Sequence, residues 1–359
     1  MSAWKLLMAL MPCMALAAKT LYRPENISFD SNLDKLPTLF NLTASLTAAQ
    51  KPTSDSFWTS TFATDTNGHT YFVITHMIGS RTVITRSAFL DLETHVYSQI
   101  QNISHNVTTY NPTTGFLDAH PTGFYIAALN DGEKLSGLHV ESNVPGVHIN
   151  FTLDINTPAL INAGSGAFTL VDVYTYEWAL PAAKTSGTLT INGTTVTLDP
   201  AKSISWFDRQ WGPSLQPVNT ATTPTSGSWH WIQLHIKGSP LDVPLSGWVV
   251  DYKDRPPVQF ATIREAPGIQ KYLSVASLVP GGRTWTSPYT NITYDLNYTL
   301  TLQDGSFFHL EVVADDQEMH STNGASPVYE GYLDFHGIYK GVRVSGYGLV
   351  EIVTGFTVS

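Results

Sequence analysis

Helical periodicity is almost absent from this chain. Short apolar or alternating runs bounded by Gly, Pro, Asn and Asp recur instead, at the spacing of β-strands. They include 70–78, 81–90, 123–129, 147–153, 187–198 and 228–236, then 245–250, 258–264, 294–302, 307–313 and 341–353. Turn signals lie between them at Asn67-Gly68, Asn130-Asp131-Gly132, Asn192-Gly193, Pro280-Gly281-Gly282 and Asp304-Gly305. Several of these turns join runs of hairpin length. The pattern predicts an all-β fold, a meander of antiparallel strands closed into barrels or packed as sandwiches.

The first residues carry a leader pattern. Lys5 is a basic start, residues 6–16 form a short apolar run, and Ala15 and Ala17 supply the small residues of a cleavage site. This predicts a signal peptide at 1–17, too short to span a bilayer, and a chain that is secreted or held in the secretory lumen. No later apolar run is long enough for a membrane span, so the mature chain is expected to be soluble. Eight Asn-x-Ser/Thr sequons fit that route as glycosylation sites: Asn26, Asn41, Asn102, Asn106, Asn150, Asn192, Asn291 and Asn297. The single cysteine, Cys13, lies within the leader. The mature chain therefore has no disulfide, no thiolate nucleophile and no thiolate metal ligand, and its stability must come from burial.

The remaining length is enough for two β domains. Residues 19–50 read as an irregular lead-in, and 213–227 are rich in Pro, Thr and Ser. The expected organisation is a β domain over 18–212, a linker over 213–227 and a second β domain over 228–359. No short-period repeat is visible.

A net charge of −10 without a Lys/Arg cluster excludes nucleic acid and anionic membranes as expected partners. Charged residues make only 13% of the chain, half the usual level of about 25%. Aromatic residues make 11%. That balance favours apolar cavities and a small hydrophobic ligand, although β proteins favour aromatics in any case. Neither a cofactor nor a metal is expected. The twelve histidines are scattered, and His230 and His235 fall on opposite faces of one strand.

The densest group of chemically useful residues is Ser205-Trp206-Phe207-Asp208-Arg209-Gln210-Trp211-Gly212. On a strand, Trp206, Asp208 and Gln210 share one face, and Phe207, Arg209 and Trp211 the other. A carboxyl beside an indole in an apolar cavity has a raised pKa and can donate a proton. The alternative is a structural corner in which Asp208 is paired and the tryptophans fill the core between domains. In the next strand Trp229, Trp231 and Gln233 share a face, opposite His230, Ile232 and Leu234. His230 is a candidate acid/base group, or a satisfied core histidine. Glu177, Arg264 and Glu330 interrupt other apolar stretches. They are expected to be the outward residues of alternating strands, with Glu177 also a candidate acid and Arg264 a candidate binding residue.

Residues 206–212 resemble the Trp-x-Asp-x-x-Trp-Gly signature of the hydroxyneurosporene synthase-like proteins, a lipocalin-type family that includes kievitone hydratase-like enzymes and fungal Diels-Alderases and hetero-Diels-Alderases. Gly187-Thr188-Leu189-Thr190-Ile191-Asn192-Gly193 resembles the strand and turn before that signature. Tyr329-Glu330-Gly331 and the segment Val344 to Gly355 resemble the close of the fold. The resemblance runs from Trp58 to Phe356. It implies two lipocalin-like β domains in tandem and chemistry on apolar, unsaturated substrates. Ser56-Phe57-Trp58 departs from the paired tryptophans of many relatives.

Three functions follow. The first is a secreted fungal pericyclase of polyketide or terpenoid metabolism, a hetero-Diels-Alderase without a cofactor. Tryptophans 206, 211, 229 and 231 would orient its partners, and Arg209, Gln210, His230 or Arg264 would donate to the developing oxyanion. The second is a hydratase in which Asp208 or Glu177 protonates an isoprenoid double bond and water traps the cation. The third is a carrier of hydrophobic small molecules, which the fold also permits. A monomer or homodimer is expected.

Overall fold

The computed structural model describes residues 38, 40–48, 54–131, 134–155, 157–170, 173–212, 227–238, 243–253, 255–266, 269–322 and 326–356. The predicted leader, Asn26 and residues 213–226 of the predicted linker lie outside them. A one-turn helix, α1 (Leu42–Ser45), opens the described chain within the stretch read as an irregular lead-in. Asn41 caps it, its side chain accepting from the Ala44 amide at 2.8 Å.

Two large antiparallel sheets follow. The first holds β1 (Ser54–Thr64), β2 (Thr70–Gly79), β3 (Thr82–Asp91), β4 (Tyr97–His105), β5 (Asp118–Ala119), β6 (Phe124–Asp131), β7 (Lys134–Val144) and β8 (Val147–Asp154). It continues with β9 (Leu160–Ile161), β10 (Ala167–Leu170), β11 (Val173–Ile191), β12 (Thr194–Thr197) and β13 (Ile204–Gly212). The main path runs β4-β3-β2-β1-β13-β11-β8-β7-β6-β5. It curls round its own core without closing. Ser87 of β3 and Ser142 of β7 meet across the curl at 2.6 Å.

The second sheet holds β14 (Gly227–Lys237), β15 (Val243–Tyr252), β16 (Val258–Ala266) and β17 (Ile269–Pro280), then β20 (Asn297–Leu302), β21 (Phe307–Val312), β22 (Glu318–Met319), β23 (Val328–Tyr339) and β24 (Val342–Phe356). A small hairpin, β18 (Thr284–Thr286) and β19 (Thr293–Asp295), stands apart. The order β21-β20-β17-β16-β15-β14-β24-β23, with β23 pairing back to β21, closes an eight-stranded barrel. The expected all-β fold of two antiparallel lipocalin-like units is therefore what the chain adopts.

Local chemistry explains the joints. Asn192 and Gly193 both have positive φ, 50° and 84°, as a two-residue hairpin turn between β11 and β12 requires. The long strand β11 shifts register between Leu180 and Ala183. Pro181 sits at that irregularity, where its missing N–H costs no ladder bond.

Three cores result. The first sheet encloses Phe57, Phe151, Leu180 and Phe207. The barrel interior is filled by Ile232, Leu234, Leu300, Phe308 and Ile352. A third core joins the outer faces of both sheets through Trp58, Trp206, Trp229, Trp231 and Trp248. This third contact explains strand β1, which is buried at ten consecutive positions and shows no alternation. One face lies on its own sheet's core and the other on the barrel.

Candidate active site

Two rows of cross-strand neighbours face each other across the third core. On the first sheet, register aligns Arg86 (β3), His76 (β2), Trp58 (β1) and Asp208 (β13). On the barrel it aligns Glu330 (β23), Glu351 (β24), Trp231 (β14) and Trp248 (β15). A second row on the first sheet runs Ser56, Gln210, Glu177. Directly opposed residues on one face have Cβ atoms about 5 Å apart, so each row is a continuous strip of touching side chains.

The rows enclose a cavity of about 70 Å³. Its first-sheet wall carries the polar groups Ser56, His76, Arg86, Glu177, Asp208 and Gln210, set among Trp58 and aliphatic side chains. Its barrel wall is aromatic, with Trp229, Trp231 and Trp248 beside Glu351. This volume holds a few water molecules and is well below the roughly 300–1,000 Å³ of ordinary ligand pockets. A larger ligand must move wall side chains as well as water.

Indole N–H groups fix the carboxyls. Trp206 donates to Asp208 Oδ1 at 2.7 Å, Trp229 to Glu351 Oε1 at 2.6 Å, and Trp58 to Glu330 Oε1 at 3.2 Å, the last bond crossing between the sheets. Trp248 favours the charged form of Glu177 weakly, although neither its indole N–H nor Glu177 Oε2 closes a hydrogen bond. The tryptophans also order one another: the Trp58 and Trp231 rings meet edge to face at 5.0 Å.

Four carboxyls thus share one desolvated region. Glu177, Asp208 and Glu330 are at least 94% buried, and Glu351 keeps some accessible surface where it lines the cavity. Burial pushes Glu177, Asp208 and Glu330 well above the ordinary carboxyl range and raises Glu351 too; their mutual repulsion adds to the effect at Glu177, Asp208 and Glu330. Arg86 is the only arginine or lysine lining the cavity among the described residues. Its Nε donates to Gln101 at 3.0 Å and its charge draws Glu330 and Glu351 down. One guanidinium against four buried carboxyls leaves most of them protonated at neutral pH, because an unpaired buried carboxylate is far costlier than a neutral acid. Burial also lowers His76 well below its usual value, so it is a neutral imidazole; its Nε2 lies 3.0 Å from Ser56 Oγ.

The residues singled out from sequence separate into two groups. Asp208, Glu177, Gln210, Trp229 and Trp231 line the cavity, and Trp206 holds Asp208 from behind. Arg209 faces the opposite way, as strand parity predicts. It pairs with Asp55, donates through Nε to the Ser45 carbonyl at 2.8 Å, and lies over the Phe57 and Trp211 rings. Arg209 and Trp211 are thus core residues of the first sheet. His230 points into the barrel, 3.3 Å from Tyr298 Oη, and burial lowers its pKa to about 4. Arg264 is buried on the barrel face towards the first sheet but does not line the cavity.

Glu177, Arg264 and Glu330 do not point outward to solvent as expected; each is at most 4% exposed. Alternation assigns the second face of a strand to water, and here that face is covered by the other sheet. Arg86, His76, Ser56, Trp58, Trp248 and Glu351 were not chosen from sequence. The signal available was a charged residue set within an apolar strand, as at Glu330 and Glu351. Among the described sequons, Asn106, Asn192 and Asn291 are exposed; Asn41, Asn102, Asn150 and Asn297 are partly buried. No group of three or more His, Cys, Asp or Glu among the described residues is arranged to hold a metal ion, and no described helix is long and apolar enough to cross a membrane.

Comparison with known proteins agrees with the fold and the resemblance. The kievitone hydratase of Fusarium solani subsp. phaseoli is 35% identical over 92% of this chain and 90% of its own. The dehydratase asqC of Emericella nidulans is 28% identical over 94% and 95%. The crystal structure of kievitone hydratase from Nectria haematococca superposes with a TM-score of 0.77, at 33% identity, over 89% of this chain and 94% of that one. Residues 80–356 match the AttH-like family, and with this agreement of sequence and fold the chain belongs to it.

Proposed function

We propose that this protein is a secreted fungal hydro-lyase that adds water to, or removes it from, an unsaturated apolar small molecule in the cavity between the two sheets. The observation that carries this reading is the division of its carboxyls. The charge of Arg86 draws Glu330 and Glu351 towards the ionised form, whereas no arginine or lysine among the described residues does so for Asp208 or Glu177. Two relatives named for hydration and dehydration support it, and so does the leader pattern at 1–17 for secretion.

Asp208 is the acid. Trp206 occupies Oδ1, which leaves Oδ2 to carry the proton. That proton passes to the less substituted carbon of an alkene, and the cation forms on the more substituted carbon. The faces of Trp58, Trp231 and Trp248 stabilise it. Water attacks the cation, and its surplus proton passes to the carboxylate that Arg86 maintains in the Glu330/Glu351 pair. The reverse sequence is dehydration. Proton exchange with water returns the acid and the base to their starting states.

The cycloaddition reading uses the same aromatic wall, with Gln210 as donor, but leaves the carboxyl cluster without a task. Of its other expected donors, Arg209 and His230 face the cores and Arg264 does not line the cavity. Among the described residues the barrel interior is packed with side chains, which removes the usual ligand space of a carrier.

The test is incubation in ¹⁸O-water with kievitone, the substrate named for the relative, and with a panel of prenylated aromatics and linear isoprenoids. A hydratase gives an alcohol two mass units heavier than in ordinary water. Cyclised products free of ¹⁸O would overturn the proposal in favour of a pericyclase, and no conversion beyond background would favour the carrier.

A further inference from the structure

In the proposed reaction Asp208 supplies the proton and the Glu330/Glu351 pair receives one; the attacking water needs a site of its own. Among the described residues, Glu177 Oε2 is one of three buried polar atoms of the first-sheet wall without a hydrogen-bond partner; the other two are His76 Nδ1 and Gln210 Nε2. Both residues line the same cavity, and His76 is 94% buried. Ser56 connects them. It is the cross-strand neighbour of Gln210 and lies 3.0 Å from His76 Nε2. Buried polar atoms are nearly always satisfied, by protein or by an ordered water.

The two atoms are complementary. The Gln210 amide nitrogen is a donor. With the His76 Nε2–H donating to Ser56 Oγ, the neutral imidazole presents a lone pair at Nδ1. A water placed between them would accept from Gln210 and donate to His76, leaving its second hydrogen and second lone pair free. The cavity is the right size for a few waters, and the wall carrying these polar groups faces an aromatic one.

We propose that Ser56, His76 and Gln210 form the binding site of the reacting water, fixing the face from which it meets the cation. This rests on the hydro-lyase reading for its chemistry, but not for the occupancy of the site. An alkene lying on the tryptophan wall is then attacked from the first-sheet side only. Neither His76 nor Gln210 supplies the proton; they touch the water and decide where the cation goes.

Two measurements test this. In a crystal structure of the full mature chain at about 1.2 Å resolution, an ordered water is expected within hydrogen-bond distance of both His76 Nδ1 and Gln210 Nε2. Side chains closed upon each other with no water there would overturn the proposal, whatever the enzyme's activity. The second uses kievitone in D₂O with the wild type, His76→Leu, His76→Gln and Ser56→Ala. Protonation without capture returns an alkene carrying deuterium, so the ratio of alcohol to deuterated alkene reads water capture separately from the acid step. His76→Leu should lower this ratio at least tenfold, and His76→Gln should recover part of it. Equal losses of alcohol and deuterium exchange in all three variants, or an unchanged ratio, would overturn the proposal. A wild type that neither hydrates kievitone nor exchanges deuterium into it would count against the hydro-lyase reading on that substrate, while the crystallographic water still decides the site.

Discussion

Glu330 and Glu351 stand directly opposite each other on β23 and β24, and each is held by an indole from a different strand: Trp58 of the first sheet for Glu330, Trp229 of the barrel for Glu351. The Trp58 bond ties the pair to the opposite sheet, so the geometry of the carboxyls depends on the docking of the two sheets. Arg86 adds a single positive charge from the same side. A carboxyl pair with one neighbouring cation holds one proton and one negative charge at lowest cost. That state can accept a proton without first releasing one.

Asp208→Asn keeps the shape and the bond from Trp206 but removes the proton donor. Turnover should fall by about 10²- to 10⁴-fold, the usual contribution of a positioned general acid. Single-turnover kinetics at fixed pH would measure it, with circular dichroism confirming an unchanged fold. Turnover within threefold of wild type would remove Asp208 from the mechanism.

Stability should fall with rising pH above neutrality. A carboxyl whose folded pKa lies above its unfolded value of about 4 binds its proton more tightly in the folded chain. Its stabilising contribution is complete below about pH 4 and is lost as pH rises through the folded pKa. Glu177, Asp208 and Glu330 all carry this sign. His76, His230 and His235 have lowered values and act only below about pH 6.5, where protonation favours the unfolded chain. Between pH 7 and 9 the histidines are neutral in both states, so denaturant titrations there report the carboxyls. Each carboxyl that stays protonated in the folded chain while ionised in the unfolded one lowers stability by about 1.4 kcal/mol per pH unit across this window. The double variant Glu177→Gln, Asp208→Asn should flatten the slope.

Arg86→Met should abolish the base without touching the acid. With the cation gone, Glu330 and Glu351 both become protonated at neutral pH. We expect turnover to fall at least tenfold at pH 7 and to recover partly as pH is raised towards 9. A pH–rate profile checks this, and a profile that keeps the wild-type shape would separate Arg86 from the pair. Arg86→Lys should keep an intermediate rate, since it retains the charge but not the guanidinium geometry that bonds both Gln101 and the Ser326 carbonyl.

Asp55→Asn tests the opposite face of the same strands. Arg209 is fully buried against Asp55, the Ser45 carbonyl and the Phe57 and Trp211 rings. Removing the counter-charge leaves a buried cation unpaired and should cost about 3–5 kcal/mol of stability. Chemical denaturation measures that loss. Turnover per folded molecule should stay within about twofold, because this cluster lies across the strand from the cavity.

Within a strand, sequence alone was sufficient. Period-two alternation is local, so Trp206, Asp208 and Gln210 were separable from Phe207, Arg209 and Trp211, and Trp229 and Trp231 from His230, without any tertiary information. Turn chemistry likewise located the Asn192-Gly193 hairpin. Strand β1 was illegible because both its faces are buried and its Ser and Thr residues erase the apolar signal. Partners across sequence were the other limit. Glu330 and Glu351 reach Trp58 and Arg86 only because two distant sheets dock through their outer faces, and no local pattern shows that the polar face of a strand will be covered. The sequence by itself determined an all-β chain and named residues on both walls of the candidate cavity. The tertiary structure alone decided that four carboxyls share one desolvated region with one guanidinium, because desolvation and like-charge proximity arise only when the two outer faces meet.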